Sequence, residues 1–332
     1  MNDVIAPDGT ILPPAPLPPS APLPAAEIAT TRRYLDQSRA DATRQKYERD
    51  WQAFSAWCRD RGQTSLPAHP DTLAVYLGVE ADRGLTPPTL TRKVSAIGYI
   101  HRRADFEVPH RVAGGALVLE TLAGIRRSRK KAAKKKTAAE ADLMFAVLLR
   151  IEGDRLADLR DRAILSFGMA SAMRRSELVA LDVADLAADA RGLRVTIRHS
   201  KTDQAGQGAT IGVPAGKRLK PVEALQRWLD HAGIESGPLF RPLSTNGRRV
   251  LDARLSDRGV ARIVQARFAA AGLDPALFAA HSLRSGFLTS AAAAGASIWK
   301  MREVSRHKSV QVLSDYVQTA DLLDGHAGAT FL

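Results

Sequence analysis

The sequence predicts a mainly α-helical protein of two domains, with a small β-hairpin or sheet in the second domain. Three observations indicate this fold class. The chain has 332 residues, 45% of them apolar and 25% charged, which is enough to build two hydrophobic cores. Apolar residues recur at three- and four-residue spacing through most of the chain, as in amphipathic helices. Apolar and polar residues alternate at 193–198 and 210–213, as in strands.

The N-terminal segment differs in composition from the rest. Residues 1–26 contain eight prolines, so we predict a disordered or extended arm, with polyproline recognition by a partner as the alternative. No basic residue precedes Arg32, which is unlike a signal peptide. The sequence has no apolar run long enough for a membrane span. Cys58 is the one cysteine and follows an apolar helical pattern. We therefore expect a core residue and a cytoplasmic protein without membrane association.

Residues 27–125 are predicted to form a small helical bundle. Its second helix is expected to begin at Thr43 and to carry aromatic residues on one face. The segment Thr86-Pro87-Pro88-Thr89 is expected to open another helix, whose apolar face lies opposite Arg92 and Lys93. We predict that these basic residues contact DNA.

A basic run follows the bundle at residues 126–136, where eight of eleven residues are lysine or arginine. The chain carries a formal net charge of +13, an excess that favours a polyanionic partner. Like charges at this density repel unless a polyanion neutralises them. We therefore predict a linker that crosses the DNA backbone, although a solvated linker is the simpler interpretation. The residues expected to contact DNA are Arg126, Arg127, Arg129, Lys130, Lys131, Lys134, Lys135 and Lys136.

Residues 137–332 are predicted to form the second domain. A long buried helix is expected at 154–172, followed by the alternating segments near residues 193 and 213 with glycines between them. The remaining pattern predicts helices at 222–231, 256–271, 281–294, 297–303 and 309–317.

The second domain contains an ordered set of residues suited to attack on a phosphodiester. Tyr316 is the fifth tyrosine of the chain and the first after residue 99. Cleavage without a metal needs a nucleophile, cations for the nonbridging oxygens and an acid for the leaving group. Arg174 and Arg284 can supply the cations through paired hydrogen bonds to phosphate. His281 lies three residues before Arg284, so both project from one helix face.

Three further residues complete this hypothesis. Glu177 lies three residues after Arg174 and is expected to hold Arg174 or His281 by an ion pair, although a plain salt bridge explains the spacing equally well. Lys201 follows the first strand in a turn that can reach a DNA groove and act as an acid. A free tyrosine is only about one part in a thousand ionised at neutral pH, so Tyr316 needs activation. His307 is expected to donate a hydrogen bond to the phosphate.

The order Arg174, Lys201, His281, Arg284, His307, Tyr316 resembles the tyrosine recombinase (phage integrase) family. The segments Arg174-Arg175-Ser176-Glu177-Leu178 and His307-Lys308-Ser309 with Tyr316 are similar to its two signature boxes. The resemblance covers nearly the whole chain. It implies an N-terminal SAM-like helical bundle that binds the core DNA site, and a mixed α/β catalytic domain with a C-terminal tail.

The resemblance also implies roles. Tyr316 would form a 3′-phosphotyrosyl link, Arg174 and Arg284 would clamp the phosphate, and Lys201 would be the acid. His281 would transfer protons, His307 would support the transition state, and Glu177 would organise these groups. No metal, ATP or other cofactor is implied. The partner would be double-stranded DNA, bound by a tetramer that exchanges C-terminal tails, here residues 318–332.

Two features depart from the family pattern or leave a choice open. The family usually has glycine before its second histidine, where this chain has Arg306, so this side chain is expected to alter the turn or to contact phosphate. Lys217 and Lys220 lie not far beyond Lys201 and are alternatives for the acid.

Site-specific recombination for DNA integration or resolution is the leading hypothesis for function. A type IB topoisomerase or a hairpin-resolving enzyme would use the same chemistry with a different outcome. A DNA-binding factor without catalysis is the third possibility, and the complete residue set argues against it.

Overall fold

The structure is a computed structural model that describes residues 23–129, 136–198 and 208–320. The chain divides into two compact units, Met1–Ala133 and Lys134–Leu332. Helices dominate the described residues of both units, and a three-stranded antiparallel sheet lies in the second. The predicted fold class, mainly helical with a small sheet in the second domain, is therefore confirmed. Among the described helices, none combines the length and the apolar composition needed to span a membrane.

Five helices make up the described part of the first unit. The first of them begins at Ala25, inside the segment predicted to be an extended arm, directly after Pro24 at its N-cap. Residues 1–22 of that predicted arm lie outside the described residues. The helices are α1 (Ala25–Gln37), α2 (Asp41–Arg59), α3 (Pro70–Asp82), α4 (Pro87–Arg103) and α5 (Ala116–Ser128).

Aromatic residues form the centre of the first unit's core. Tyr76 on α3 lies between Phe54 and Trp57 on α2, with ring centroids 5.0 and 5.2 Å apart. Edge-to-face and tilted contacts of this kind add to the stabilisation that apolar burial provides. Cys58 is fully buried in the same core, as the sequence predicted, and burial raises the pKa of its thiol to about 11.

Lys93 is buried in this unit, whereas the sequence analysis expected it on the exposed basic face of its helix; its predicted DNA contact stays a prediction. Its side chain is 7% exposed. Its Nζ lies 3.1 Å from Glu80 Oε2 and donates a 2.7 Å hydrogen bond to Tyr76 Oη. A buried ammonium needs such partners, and both come from α3, which the spacing of residues within α4 could not reveal.

The basic run at 126–136 begins inside a helix, which corrects its interpretation as a linker from residue 126. Helix α5 continues to Ser128. Arg126 Nη2 donates a 3.0 Å hydrogen bond to Thr91 Oγ1 on α4, and Arg129 lies 3.6 Å from Asp82 Oδ1. The sequence analysis did not identify α5, and the predicted domain boundary at residue 125 falls within this helix.

The second unit surrounds a buried helix with shorter helices and the sheet. Ten of the fifteen residues of helix α7 are buried, so this helix forms the centre of the unit. The apolar segment at 154–172 predicted such a buried helix. The helices are α6 (Ala141–Leu149), α7 (Leu156–Ala170), α8 (Arg175–Ala180), α9 (Pro221–Ala232), α10 (Asp257–Ala270), α11 (His281–Ala293), α12 (Ile298–Ser305) and α13 (Val310–Ala320). Short 3₁₀ helices occur at Val183–Asp185 and Pro275–Leu277.

The sheet contains one strand more than the sequence predicted. Strand β1 (Leu186–Asp189) pairs with β2 (Gly192–Ile197), which pairs with β3 (Ala209–Pro214), all antiparallel. Val195 and Ile197 of β2 face the core and alternate with exposed residues. Strand β1 has no fully buried residue, so its sequence lacked the alternation that revealed the other two strands.

Helix α11 packs closely against the segment that leads into α6. Ala139 N–H donates a 3.0 Å hydrogen bond to Ser282 O, and Ala141 N–H donates a 2.8 Å bond to Ser290 Oγ. Gly286 faces this segment, where a side-chain carbon would overlap the carbonyl group of Ala139. The absence of a side chain at Gly286 therefore sets the position of α11.

We expect Gly286→Ala to destabilise the second unit by about 2 kcal/mol or more, because the added methyl group forces two backbones apart. This corresponds to a fall in Tm of roughly 5 °C, measurable by calorimetry on the full chain. Gly124→Ala is the control, since a methyl group there meets no neighbouring atom and alanine favours the helix. An unchanged Tm for Gly286→Ala would contradict this packing.

Candidate active site

Arg174 is held by the helix that follows it. It occupies the N-cap position of α8, with extended backbone angles of −68° and 148°. Its backbone N–H donates a 2.9 Å hydrogen bond to Glu177 Oε2, which is one half of a capping box. Its Nη1 donates a 2.7 Å bond to Glu177 Oε1. The helix start and the guanidinium are thus fixed by the same carboxylate.

Glu177 also binds a second arginine from a distant part of the chain. The residue is 2% exposed, and its Oε2 accepts a 2.5 Å hydrogen bond from Arg306 Nη2. The expectation that Glu177 holds Arg174 is met in the geometry, and Arg306 is a partner that the sequence analysis did not identify. One buried carboxylate therefore bridges two guanidinium groups, which compensates in part for the cost of burying their charges.

Arg284 enters the same cluster from α11. It is 2% exposed, and its Nη1 donates a 2.6 Å hydrogen bond to Ala172 O, in the turn before Arg174. Burial and the repulsion of Arg174 lower the pKa of Arg284 to about 10, so the guanidinium stays charged at neutral pH. The structure thus brings Arg174 and Arg284 together, as the sequence predicted, by joining the start of α8 to α11.

The protonation of His307 follows from its hydrogen bonds. Ser305 Oγ donates a 2.6 Å bond to Met301 O and lies 2.8 Å from His307 Nδ1. A hydroxyl has one proton to give, so Nδ1 carries the ring proton and donates to Ser305. Arg284 Nη2 lies 3.2 Å from both Nδ1 and Nε2 of the ring, so it sits against the ring rather than in line with one nitrogen. His307 therefore contacts Arg284, and the expected hydrogen bond from His307 to phosphate stays a prediction.

Both histidines favour the neutral form. The pKa of His307 is lowered to about 4, mainly by burial and further by the charges of Arg284 and Arg174. Partial desolvation and the same two arginines also lower the pKa of His281, which is the first residue of α11 and is otherwise exposed. Because its ring is neutral and exposed, His281 is able to accept a proton from a bound group.

Tyr316 lies on α13 beside this cluster. It packs against the small apolar core of Leu288, Met301 and Leu313, where α11, α12 and α13 meet. Burial raises the pKa of its phenol, while Arg284 acts in the opposite direction. Tyr316 is therefore protonated at neutral pH and within the field of a site arginine. The sequence placed it in this helix, and the fold places the helix next to α11.

The other predicted residues are distributed as follows. Lys201 lies outside the described residues. Lys217 and Lys220 are exposed, and Lys220 Nζ forms a 2.9 Å ion pair with Glu223. Arg92 is half-buried and makes two hydrogen bonds to Asp50, of 2.8 and 3.1 Å, so its planar fork is occupied by a carboxylate.

The structure describes only part of the predicted basic run. Arg126 and Arg127 are exposed on α5, and Lys136 is exposed with its Nζ bonded to Ala276 O. Lys130, Lys131, Lys134 and Lys135 lie outside the described residues. The predicted DNA contacts of these residues stay predictions.

Comparisons of sequence identify the family. Residues 135–322 match the phage integrase family. The integrase/recombinase xerD homolog of Selenomonas ruminantium is 36% identical over 298 residues, which cover 89% of this chain and 87% of that protein. Tyrosine recombinase XerC of Mycobacterium leprae is 30% identical over 295 residues, covering 85% and 90% of the two chains. The chain therefore belongs to the phage integrase family, the tyrosine recombinases, which break and rejoin DNA.

Solved structures share its fold. The Tn1549 transposon integrase, in complex with transposon right end DNA, superposes with a TM-score of 0.60 at 15% identity, covering 89% of this chain and 97% of that one. A lambda integrase dimer bound to a COC′ core site superposes with a TM-score of 0.55 at 18% identity, covering 88% of this chain and 76% of that one. These similarities support the fold that the sequence predicted.

We expect the low pKa of His307 to make stability depend on pH. The unfolded chain binds a proton on this ring near the ordinary pKa of 6.5, whereas the folded chain binds it only near about 4. The stability that neutral His307 contributes is therefore fully present above pH 6.5, and it is lost as the pH falls from 6.5 towards 4. Urea midpoints over this range should fall less steeply for His307→Gln than for the natural chain. Equal slopes would contradict the burial of a neutral ring.

Proposed function

We propose that this protein is a site-specific recombinase that uses Tyr316 to attack a DNA phosphodiester. The observation that carries the proposal is the buried cluster in which Arg174 and Arg284 converge beside Tyr316. Two fixed guanidinium groups form a binding site for a phosphate, because guanidinium forks match phosphate oxygens. The charge is already in place before the reaction, so it stabilises the charge that develops at phosphorus.

In the proposed reaction, Tyr316 Oη attacks phosphorus as the bond from phosphorus to the 5′ oxygen breaks. The phenolic proton passes to neutral His281, and the leaving 5′ oxygen takes a proton from an acid, for which Lys201 is the proposed residue. The product is a 3′-phosphotyrosyl link and a free 5′ hydroxyl. A 5′ hydroxyl from a second duplex then attacks the link in reverse. One phosphodiester is exchanged for another, so no external energy source is required.

The same proposal assigns supporting roles. Glu177 orients Arg174, and the His307 ring orients Arg284 through its contact with Nη2. Because burial keeps the phenol protonated, attack requires the bound phosphate and the arginines to favour the phenolate as the proton leaves. The reaction needs no metal in this scheme, since the arginines supply the positive charge.

For assembly, we propose a tetramer on double-stranded DNA in which residues 318–332 of one copy dock on the next. The tail contains Leu322, Leu323, Phe331 and Leu332, and closed rings bury such a segment on each neighbour. An apolar groove of the second unit, lined by Met169, Pro214, Leu219, Phe287 and Ala291 among others, supports this arrangement. We place the enzyme in the cytoplasm, with the DNA that it recombines.

Tyr316→Phe should abolish the covalent protein–DNA complex and leave DNA binding intact, because only the attacking oxygen is removed. A pool of nicked suicide duplexes made from the host replicon, resolved on a denaturing gel and sequenced, would reveal both the adduct and its site. Tyr34→Phe is the matched control, since Tyr34 is 61% exposed on α1, and it should form the adduct normally. Site-specific binding without an adduct by the natural chain would favour the non-catalytic alternative, and supercoil relaxation without a preferred site would favour the topoisomerase.

DNA binding should weaken steeply with salt, because each phosphate contact releases counterions. Replacing Lys130, Lys131, Lys134 and Lys135 with alanine should make the slope of log affinity against log salt shallower by about one unit for each lysine that contacts a phosphate. The matched arginine variant should keep the natural slope. An alanine variant with an unchanged slope would show that the run is a solvated linker.

A further inference from the structure

Arg306 occupies an unusual backbone position beside the active site. It is the C-cap of α12, with left-handed backbone angles of 56° and 41°. A residue with a side chain is strained there, and glycine is the residue that such a turn favours. Arg306 therefore adopts this conformation at a local cost, which its side-chain contacts must offset.

Those contacts leave part of the guanidinium unused. The side chain is 12% exposed and Nη2 bonds to Glu177, but Nε and Nη1 are buried with no hydrogen-bond partner in the described structure. Buried donors in folded proteins nearly always have partners. If pairing with Glu177 were the only role of Arg306, Nε and Nη1 could face solvent, where water would accept their hydrogen bonds. Two unused donors next to Arg174 point to a ligand that accepts hydrogen bonds.

The charges of the cluster point to the same kind of ligand. Three guanidinium groups, those of Arg174, Arg284 and Arg306, lie within electrostatic reach of Glu177 and of one another. Repulsion by Arg306 reaches both Arg284 and His307, where it lowers each pKa alongside the larger effect of burial. A phosphodiester carries one negative charge, and the pentacoordinate state formed by attack on it carries two. Three clustered guanidinium groups suit a ligand of this charge.

We propose that Arg306 is a third guanidinium of the phosphate site. Nη1, one of its two unpartnered donors, donates a hydrogen bond to a nonbridging oxygen of the scissile phosphate, while Nη2 stays on Glu177. This inference rests on the proposed function and deepens it. Glu177 then serves to hold two arginines, Arg174 and Arg306, at opposite ends of one carboxylate.

The first test compares two DNA substrates that differ in charge at the scissile phosphate. One is the natural nicked duplex carrying the mapped site, and the other has a methylphosphonate at that position, in which a neutral methyl group replaces one nonbridging oxygen. On the phosphate, Arg306→Ala and Arg306→Gly should each slow adduct formation about 100-fold or more. On the methylphosphonate, each variant should form the adduct at a rate within about tenfold of the natural chain's rate, because the charge that Arg306 balances is gone.

The variants separate this role from a structural one. Arg306→Gly removes the backbone strain, so a slow reaction in this variant is due to the missing guanidinium. Arg306→Lys keeps a positive charge but lacks the planar fork. Its rate of adduct formation should lie between the rates of the natural chain and of Arg306→Ala. Arg302→Ala, on the exposed face of the same helix, controls for the loss of a surface charge and should affect both substrates equally. Equal losses on the two substrates for Arg306→Ala, or no loss at all, would overturn the proposal.

A second test does not depend on the DNA site or on strand cleavage. Inorganic phosphate should raise the Tm of the natural chain, relative to chloride at the same ionic strength, by binding the cluster. Arg306→Ala should lose most of this rise, and Arg302→Ala should keep it. If Arg306→Ala retains the full rise, Arg306 does not bind phosphate, even where the natural chain forms its adduct. If the rise depends on Arg306 but the natural chain forms no adduct, the phosphate site stands and the proposed reaction does not.

Discussion

The buried carboxylate of Glu177 is the interaction on which the active site depends. It accepts from the backbone N–H and the guanidinium of Arg174 and from the guanidinium of Arg306. Without it, Arg174 and Arg306 would lose a buried counter-charge, which is an unfavourable change in a protein interior. Because one carboxylate serves more than one arginine, the cluster is stable enough to fold and still has positive charge available for an anion.

The remaining elements place ligands around that centre. Helix α7 ends in the turn whose Ala172 carbonyl accepts from Arg284, and α11 is brought close by Gly286. The apolar contact among α11, α12 and α13 places Tyr316 next to the cluster. The chemical groups therefore come from four separate helices or their termini, and their mutual position is a property of the packing. A site of this kind is preorganised, so little rearrangement of the protein is required as charge develops on the phosphate.

The sequence was most informative where a local pattern decides the structure. Helices such as α11 were predicted to within a residue, and the ordered set from Arg174 to Tyr316 resembled the family to which the chain belongs. It was least informative where a partner comes from a distant segment. Lys93 looked exposed because Glu80 and Tyr76 lie on another helix, and the pairing of Glu177 with Arg306 joins residues 129 positions apart. Strand β1 and helix α5 also owe their form to neighbours that the local sequence does not reveal.

The most direct measurement of the central claim is the identity of the amino acid joined to DNA. Trypsin cuts after Lys308, and no lysine or arginine follows, so Tyr316 lies in the C-terminal tryptic peptide as its only tyrosine. Mass spectrometry of the nuclease-trimmed covalent complex should show the nucleotide mass on Tyr316 in this peptide. An adduct on any other residue, or a peptide of unmodified mass from a complex that survives denaturation, would contradict an active site in which the arginine cluster presents the phosphate to Tyr316.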